Sequence, residues 1–381
     1  ASSTGCWQQS PTTFAEPPPV AGRADRLCSN VARVPPSRAA RVGACAAAVV
    51  FVVAVVGPQW RSGFPPVFPD SHSYLAVASR NPWSPKFWAD QRPPTYPLFV
   101  WMFGSAPAWV VPAQALCWVL AWGWLIATAW QLLRNRALAG VACALLSLIA
   151  VQPRWAAWST QILTESLSGT FAVAAVAAWW RWFAEPDRFR TAMVIAVTIA
   201  WMLVRDSNAV TLLAVSIPIG LAALVLCRRA DGGTPRRRAV ASVMAAVLIA
   251  GGYSLATQAG AGRNMVTFHN NMGLRWLASA DMRAYFVGHG LPESAALDAR
   301  IGGDAWADGE AFLRAPELEQ YRSWADASGR GWAAWSVVAK AGWYLDRLSG
   351  ELDHYTGDNY GAYDTYRVAD HWPDRPLGVL D

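Results

Sequence analysis

Five ionisable side chains lie close to long uncharged runs of this sequence: Asp70, Arg92, Arg154, Glu165 and Arg205. A positioned carboxylate can take a proton from a hydroxyl group, and a guanidinium can hold a phosphate through paired hydrogen bonds. Together these residue types suit a reaction in which a hydroxyl is activated while a phosphate departs as an anion. Such a reaction requires the chain to bring all five side chains to one place.

Each carboxylate also has a purely structural interpretation. Asp70 stands where the N-cap of a helix over 71–81 is expected, and its spacing favours that role. We expect Glu165 in the second turn of its helix, where the helix dipole and a hydroxyl of Thr160 or Thr164 would stabilise its carboxylate. This structural role and a functional role explain Glu165 equally well. A neighbouring carboxylate, Asp206, is the expected partner of Arg205.

The remaining candidates are a histidine and six aromatic residues that could contact a substrate: His72, Tyr74, Trp83, Trp88, Tyr96, Trp155 and Trp158. His72 is also compatible with a solvated helix position, and Trp is common at membrane interfaces. Arg92 precedes two prolines, which hold its backbone extended, but snorkelling toward lipid headgroups explains such an arginine as well.

The composition predicts a membrane protein. The 381 residues are 54% hydrophobic and 15% charged, which is too apolar for a soluble domain of this size. Residues 1–256 carry 21 Lys/Arg and 9 Asp/Glu, whereas residues 257–381 carry 11 and 17. A basic half followed by an acidic half indicates two compartments and argues against nucleic-acid binding.

Uncharged runs predict seven transmembrane helices, because a charge at the bilayer centre costs about 2.5–3.5 kcal/mol. The predicted spans are 42–60, 108–130, 137–153, 159–182, 190–205, 209–227 and 239–257. Basic turns then place the N-terminus on the cytoplasmic side. The expected location of the protein is the plasma (inner) membrane. The outer segments are the first loop (61–107), the turns at 152–158 and 205–208, and everything after 257.

The predicted fold is therefore an all-α polytopic membrane protein. Residues 1–40 form a disordered cytoplasmic leader, 41–257 the transmembrane module, and 258–381 a mostly helical extracytoplasmic region. Two helices in the first outer loop are expected at the membrane interface: Ser71–Asn81, with Tyr74, Leu75, Val77 and Ala78 toward lipid, and an apolar segment between Pro93 and Pro107. The six cysteines show no spacing typical of disulfide frameworks or zinc sites.

Three short motifs in this order resemble the GT-C superfamily of polyprenyl-phosphate-dependent membrane glycosyltransferases, in particular family 39, which includes protein O-mannosyltransferases. They are Asp70 followed by Tyr74-Leu75, Arg92-Pro93-Pro94-Thr95-Tyr96-Pro97-Leu98, and Thr164-Glu165-Ser166-Leu167. The resemblance covers about residues 42–260. The superfamily's shared module also has seven spans, and members carry further spans beyond the outer domain, so this chain is expected to be a fragment or a short member.

The resemblance implies a role for each motif. Asp70 matches the acid of the first outer loop, the expected general base, and Arg92 stands where the family often has His. Glu165 matches an acid that in relatives helps to hold the acceptor or a divalent cation such as Mg²⁺ or Mn²⁺. Ser71 stands where the family often has a second carboxylate, which leaves a metal requirement open.

The expected reaction is an inverting transfer of a sugar from a polyprenyl-phosphate donor to a cell-envelope glycan, lipid or protein acceptor at the outer face of the bilayer. Arg92, Arg154 and Arg205 are the expected phosphate ligands. Two other classes compete with this hypothesis. A secondary transporter or lipid-linked-sugar flippase would bury ionisable groups near the midplane, and a non-catalytic scaffold would use residues 258–381 to dock a partner.

Overall fold

The computed structural model of the chain describes residues 49–50, 53, 69–90, 92–152, 156, 158–229, 234–260, 263–302 and 314–356. Arg154, Trp155, the leader, most of the predicted first span and the whole tail after 356 lie outside these residues. The chain divides into two compact units, residues 1–49 and 50–381. All the elements described below belong to the second unit.

Every regular element that the structure describes is helical, as predicted. Three short helices come first: α1 (Pro69–Ala78), α2 (Pro85–Trp88) and α3 (Thr95–Met102). Six longer helices follow: α4 (Pro107–Leu132), α5 (Arg136–Val151), α6 (Thr164–Ala184), α7 (Arg188–Met202), α8 (Asp206–Arg229) and α9 (Thr234–Gly260). These six correspond to the last six uncharged runs of the sequence.

Two of the six are long and apolar enough to cross a membrane by length and composition. They are Ala108–Leu132 in α4, with a mean hydropathy of 1.7, and Arg238–Gly260 in α9, with 1.9. Arg136–Val151 and Asp206–Ala222 are apolar but shorter. An α-helix rises about 1.5 Å per residue, so the 15 residues of α7 fall short of the roughly 30 Å of a hydrocarbon core. Seven spans are therefore not established by the helices themselves.

The long helices pack in chain order. α4 contacts both α5 and α6, α6 contacts α7, and α7, α8 and α9 contact one another. α8 and α9 approach closely at two glycines: a Cβ at Gly251 would meet the Leu213 side chain at 2.6 Å, and one at Gly220 would overlap Met244. Small residues at such crossings let two backbones come together.

The residues after α9 form a further set of short helices. They are α10 (Arg263–Asn271), a π-helical turn (Met272–Trp276), α11 (Ala280–Gly288), α12 (Ala295–Asp298), a 3₁₀ turn (Pro316–Leu318), α13 (Glu319–Trp324), a second π-helical turn (Ala325–Gly329), α14 (Arg330–Ala339) and α15 (Ala341–Thr356). They share a hydrophobic cluster, which we call the C-terminal cluster, that includes Phe268, Met272, Phe286 and Tyr321. The mostly helical character predicted for this region is confirmed for residues 263–302 and 314–356.

Candidate active site

The helix bundle has two ends, and the predicted outer segments meet at one of them. α1 and α3 pack there against the start of α4 and the segment before α6, in a cluster with Tyr74, Tyr96, Val110 and Ile162 at its centre. We call this the site end. The first outer loop is fixed to its neighbours by backbone groups as well, since Ser71 Oγ donates to the Ile162 carbonyl at 2.6 Å and Thr95 N–H donates to the Leu203 carbonyl at 3.2 Å.

The opposite end collects the predicted inner turns. Arg181 Nε donates to Thr128 Oγ1 at 2.9 Å, which links the ends of α6 and α4. Trp182 and Val194 pack there with Val240 of α9. The structure thus separates the predicted outer segments from the predicted inner ones, with one set at each end of the bundle.

Asp70 and Arg92 form an ion pair at the site end. The Arg92 Nη2 atom lies 2.5 Å from Asp70 Oδ1, and Arg92 Nε donates to Ser73 Oγ at 2.7 Å. The guanidinium carbon also lies 4.8 Å from the centre of the Tyr74 ring, a cation–π distance. Arg92 is therefore held on three sides, whereas half of the Asp70 side chain is exposed.

Glu165 and Arg205 form a second ion pair at the same end, with 3.0 Å between Glu165 Oε1 and Arg205 Nη1. Arg205 was expected to pair with its neighbour Asp206, but the ion pair that the structure shows is with Glu165. α8 begins at Asp206, and the Arg205 guanidinium reaches Glu165 in the first turn of α6 instead. Glu165 also lies one turn earlier than predicted, because its helix begins at Thr164.

A hydroxyl relay joins the two ion pairs. Thr164 Oγ1 donates to Glu165 Oε2 at 3.0 Å, as the structural interpretation of Glu165 anticipated. Since a hydroxyl has one proton to donate, the Tyr74 hydroxyl donates to Thr164 across 3.3 Å. Burial raises the pKa of Tyr74, against the opposing charge of Arg92, so its hydroxyl keeps that proton at neutral pH. Asp70, Arg92, Tyr74, Thr164, Glu165 and Arg205 thus form one connected network.

Two expectations about α1 are corrected. The helix begins at Pro69, so Asp70 is a first-turn residue rather than the N-cap, and its carboxylate pairs with Arg92. Tyr74, Leu75, Val77 and Ala78 were expected to face lipid, but each is at most 6% exposed. Their apolar face covers protein, because α3 and the start of α4 lie against it.

The other predicted site residues occupy varied positions. Trp83 is 86% exposed, Trp88 is 38% exposed, and Trp158 packs half-buried against the site-end cluster. His72 is half-buried on α1. Tyr96 is fully buried, and its ring stacks edge-on against Tyr74 at 5.2 Å. Tyr96 therefore supports the position of Tyr74 and cannot touch a substrate in this arrangement.

Sequence reasoning missed Gln114, a buried residue in the first turns of α4. Its Oε1 accepts from the Tyr96 hydroxyl at 2.8 Å, and its Nε2 donates to the Gln161 carbonyl at 2.7 Å and to the Ser159 carbonyl at 3.3 Å. One side chain thus ties α3 and α4 to the segment that leads into Glu165. A lone amide within an apolar run was the available signal.

A divalent cation does not fit the carboxylates as they stand. Mg²⁺ and Mn²⁺ prefer several oxygen ligands on one ion, whereas Asp70 and Glu165 each face an arginine. Among the residues that the structure describes, no group of three or more His, Cys, Asp or Glu side chains is placed to share a metal. We therefore derive no chemical step through a metal.

Comparisons with protein-family models, with curated proteins and with solved structures give no match.

Proposed function

We propose that the protein is a membrane glycosyltransferase that moves a sugar from a polyprenyl-phosphate donor to a hydroxyl acceptor on the outer face of the membrane. The observation that carries the proposal is the network at the site end, where two carboxylate–arginine pairs from four separate segments are joined through Tyr74 and Thr164. A carboxylate and a cation at one site are the groups that this transfer requires.

The surface of the bundle supports a membrane location. Large aliphatic side chains more than about 40% exposed lie along four of its long helices: Leu116, Leu120, Leu138, Val141, Leu145, Leu148, Ile149, Val215, Ile219, Leu221, Leu248, Ile249 and Leu255. An exposed apolar surface of this extent is unusual in water. In a bilayer, lipid chains would contact this apolar surface and keep it from water. This favours the hypothesis that the shorter helices also lie within the membrane.

Exposed aromatic residues flank this aliphatic surface at both ends. Trp83, Trp88, Trp101 and Trp109 lie at the site end, and Trp130, Phe183 and Phe189 lie at the opposite end. Trp in particular is enriched at both water–lipid boundaries of membrane proteins. The site end would then lie at one boundary, where the phosphate of a lipid-linked sugar resides.

In the proposed reaction Asp70 is the general base. Its half-exposed carboxylate accepts the proton of the acceptor hydroxyl while that oxygen forms a bond to the anomeric carbon of the sugar. The bond between this carbon and the phosphate oxygen breaks, and its electron pair leaves with the polyprenyl phosphate. A single displacement of this kind inverts the anomeric centre.

Of the two described candidates, Arg205 is better placed than Arg92 to receive the phosphate. Its side chain is 46% exposed, whereas Arg92 is 22% exposed and is held by Asp70, Ser73 and Tyr74. Arg92 then orients the base, and Glu165 orients Arg205 or the acceptor. Arg154 remains a further proposed phosphate ligand, and the exposed faces of Trp83 and Trp88 are available for a sugar ring.

The proposal is tested with the full chain reconstituted in lipid nanodiscs. Polyprenyl-phosphate-linked mannose and arabinose serve as donors, and release of polyprenyl phosphate is followed by mass spectrometry with glycan, lipid and peptide acceptors. We expect release from one donor and transfer to one acceptor class with inversion. Donor binding without release would favour a flippase, and neither binding nor release would favour a scaffold.

A further inference from the structure

The last two described helices, α14 and α15, present an apolar surface that no described residue covers. Four large side chains on it are more than half exposed: Trp335, Val338, Leu345 and Leu348. We call this surface the hairpin face, since α15 follows α14 after one residue, Lys340. Four such side chains within 14 positions are of the kind that marks an interaction surface.

The hairpin face is opposite to the side that holds α14 in place. Ala333 and Ser336 are buried against the C-terminal cluster, and Ser336 Oγ lies 2.8 Å from the Tyr344 hydroxyl, which fixes α15 beside α14. At 100° per residue, Ala334, Trp335 and Val338 fall on the other side of the helix. Trp335 and Val338 are therefore exposed because they lie on the side of α14 that faces away from the C-terminal cluster.

The chain path limits how far this surface can be from the membrane. The Tyr253 hydroxyl near the end of α9 donates to the Trp88 carbonyl at 2.5 Å, so the end of this apolar helix lies at the site end. α10 begins three residues after α9, and Phe268 on α10 belongs to the same cluster as Ala333 on α14. The nine residues of α10 span only about 14 Å.

The edge of the hairpin face carries an aromatic and a basic residue, beside the exposed Asp346. The Arg347 guanidinium lies 6.0 Å from the Trp343 ring, and Trp343 is half-buried. Aromatic and basic side chains beside an apolar stripe are typical of helices that lie in the headgroup region, with Arg and Lys reaching the phosphates. Lys340 at the turn between the helices adds a second cation, anchored by Asp281 at 2.6 Å.

From these observations we infer that the hairpin face lies in the outer leaflet of the bilayer, so that α14 and α15 hold the C-terminal region down against the membrane beside the site. The lipid surface is the occupant, and Trp335, Val338 and Leu345 enter its acyl region. This inference rests on the membrane location argued above but not on the transfer reaction.

Photolabelling of the unmodified full chain tests the inference. The protein is placed in nanodiscs of phosphatidylcholine and phosphatidylglycerol that contain a lipid with a diazirine in its acyl chain, and labelled peptides are quantified by mass spectrometry. We expect residues 335–348 to be labelled at least fivefold more than 314–324, which carry the exposed Glu317 and Glu319. Replacing Val338 and Leu345 with Asp should remove most of that excess.

A peptide from α4 that contains Leu116 and Leu120 separates the possible failures. If it is labelled and 335–348 is not, the hairpin face does not enter lipid and the inference is overturned, while the membrane location stands. If α4 is also unlabelled, the membrane location fails and the inference fails with it. If 335–348 is unlabelled by the lipid and an amine-reactive cross-linker, added to a parallel sample, joins Lys340 of two copies of the chain, a second copy covers the hairpin face and the inference is likewise overturned.

Discussion

Arg205 and Glu165 form an ion pair, with 3.0 Å between Nη1 and Oε1, although one precedes α8 and the other begins α6. Thr164 and Tyr74 connect this pair to the pair formed by Asp70 and Arg92. Arg205 is half-exposed, so its charge remains available to an anionic ligand. In the proposed function, Arg205 of this pair holds the donor phosphate.

Replacement of Arg205 should weaken donor binding far more than it weakens folding. Exposed ion pairs contribute only about 0–1 kcal/mol to stability, so Arg205→Ala should shift the unfolding temperature little. Charge-assisted contacts to phosphate are stronger, and we expect affinity for polyprenyl phosphate to fall at least tenfold. Arg80→Ala, which removes an ion pair with Asp90 in the first outer loop, is the matched control and should leave affinity unchanged.

Gln114 should be a major contributor to the stability of the site end. Gln114→Leu would remove the partner of the Tyr96 hydroxyl and of the Ser159 carbonyl, at a cost of about 1–3 kcal/mol for each buried group left unsatisfied. The Gln161 carbonyl would still accept from Leu163 N–H at 2.9 Å. Tyr96→Phe removes only one of these hydrogen bonds and should cost less. Thermal unfolding in detergent measures both, and a Gln114→Leu protein as stable as the unchanged chain would contradict this account of the site end.

The α8–α9 crossing provides a comparison between adjacent glycines. A side chain at Gly251 would collide with Leu213, whereas one at Gly252 meets nothing within 4 Å. Gly251→Val should therefore destabilise the protein by about 1–3 kcal/mol through overpacking, and Gly252→Val should not. Equal unfolding temperatures for the two variants would mean that the helices do not cross as described.

The C-terminal region should lose stability in mild acid because of His269. This side chain is fully buried, its Nδ1 lies 2.7 Å from the Tyr321 hydroxyl, and burial lowers its pKa to about 4, with Asp326 opposing that shift and Arg322 and Arg330 adding to it. The unfolded chain binds the proton more readily, near pH 6.5. Stability from this source is therefore complete above about pH 6.5 and is lost as the pH falls toward 4.

Chemical denaturation between pH 7 and pH 4 tests this prediction, with His269→Gln as the comparison. The variant should be less stable at pH 7 but should show a weaker decline toward pH 4. An identical decline in both proteins would assign the acid sensitivity to other groups.

Much of the fold was predictable from the sequence, because uncharged runs and basic turns are read from composition. The boundaries of α4 and α5 lie within two residues of the predicted runs, and the short helix after Pro94 was expected. Topology alone also predicted that Asp70, Arg92, Glu165 and Arg205 would meet. In the structure these four belong to one network, whereas Arg154, the fifth residue expected there, lies outside the described residues.

The pairing within the site was not predictable, because it depends on how each helix is rotated about its axis. From the sequence Arg205 could reach either Asp206 or Glu165. The choice depends on how the start of α8 lies beside α6, where Asn208 Nδ2 donates to Ser168 Oγ at 2.9 Å. The burial of Tyr74 was missed for a related reason. An apolar helix face in a membrane protein suits lipid and protein equally, and α3 had to be placed before the two could be distinguished.

The most direct test of the proposed function compares Asp70→Asn with Asp90→Asn in nanodiscs that contain polyprenyl-phosphate-linked sugar. Both variants remove one aspartate of the first outer loop that is paired with an arginine, but only Asp70 belongs to the network. Because a positioned base contributes about 10²–10⁴ to a rate, we predict a loss of at least a hundredfold in sugar transfer for Asp70→Asn and little change for Asp90→Asn. An Asp70→Asn protein that folds normally and transfers sugar at the unchanged rate would contradict the account.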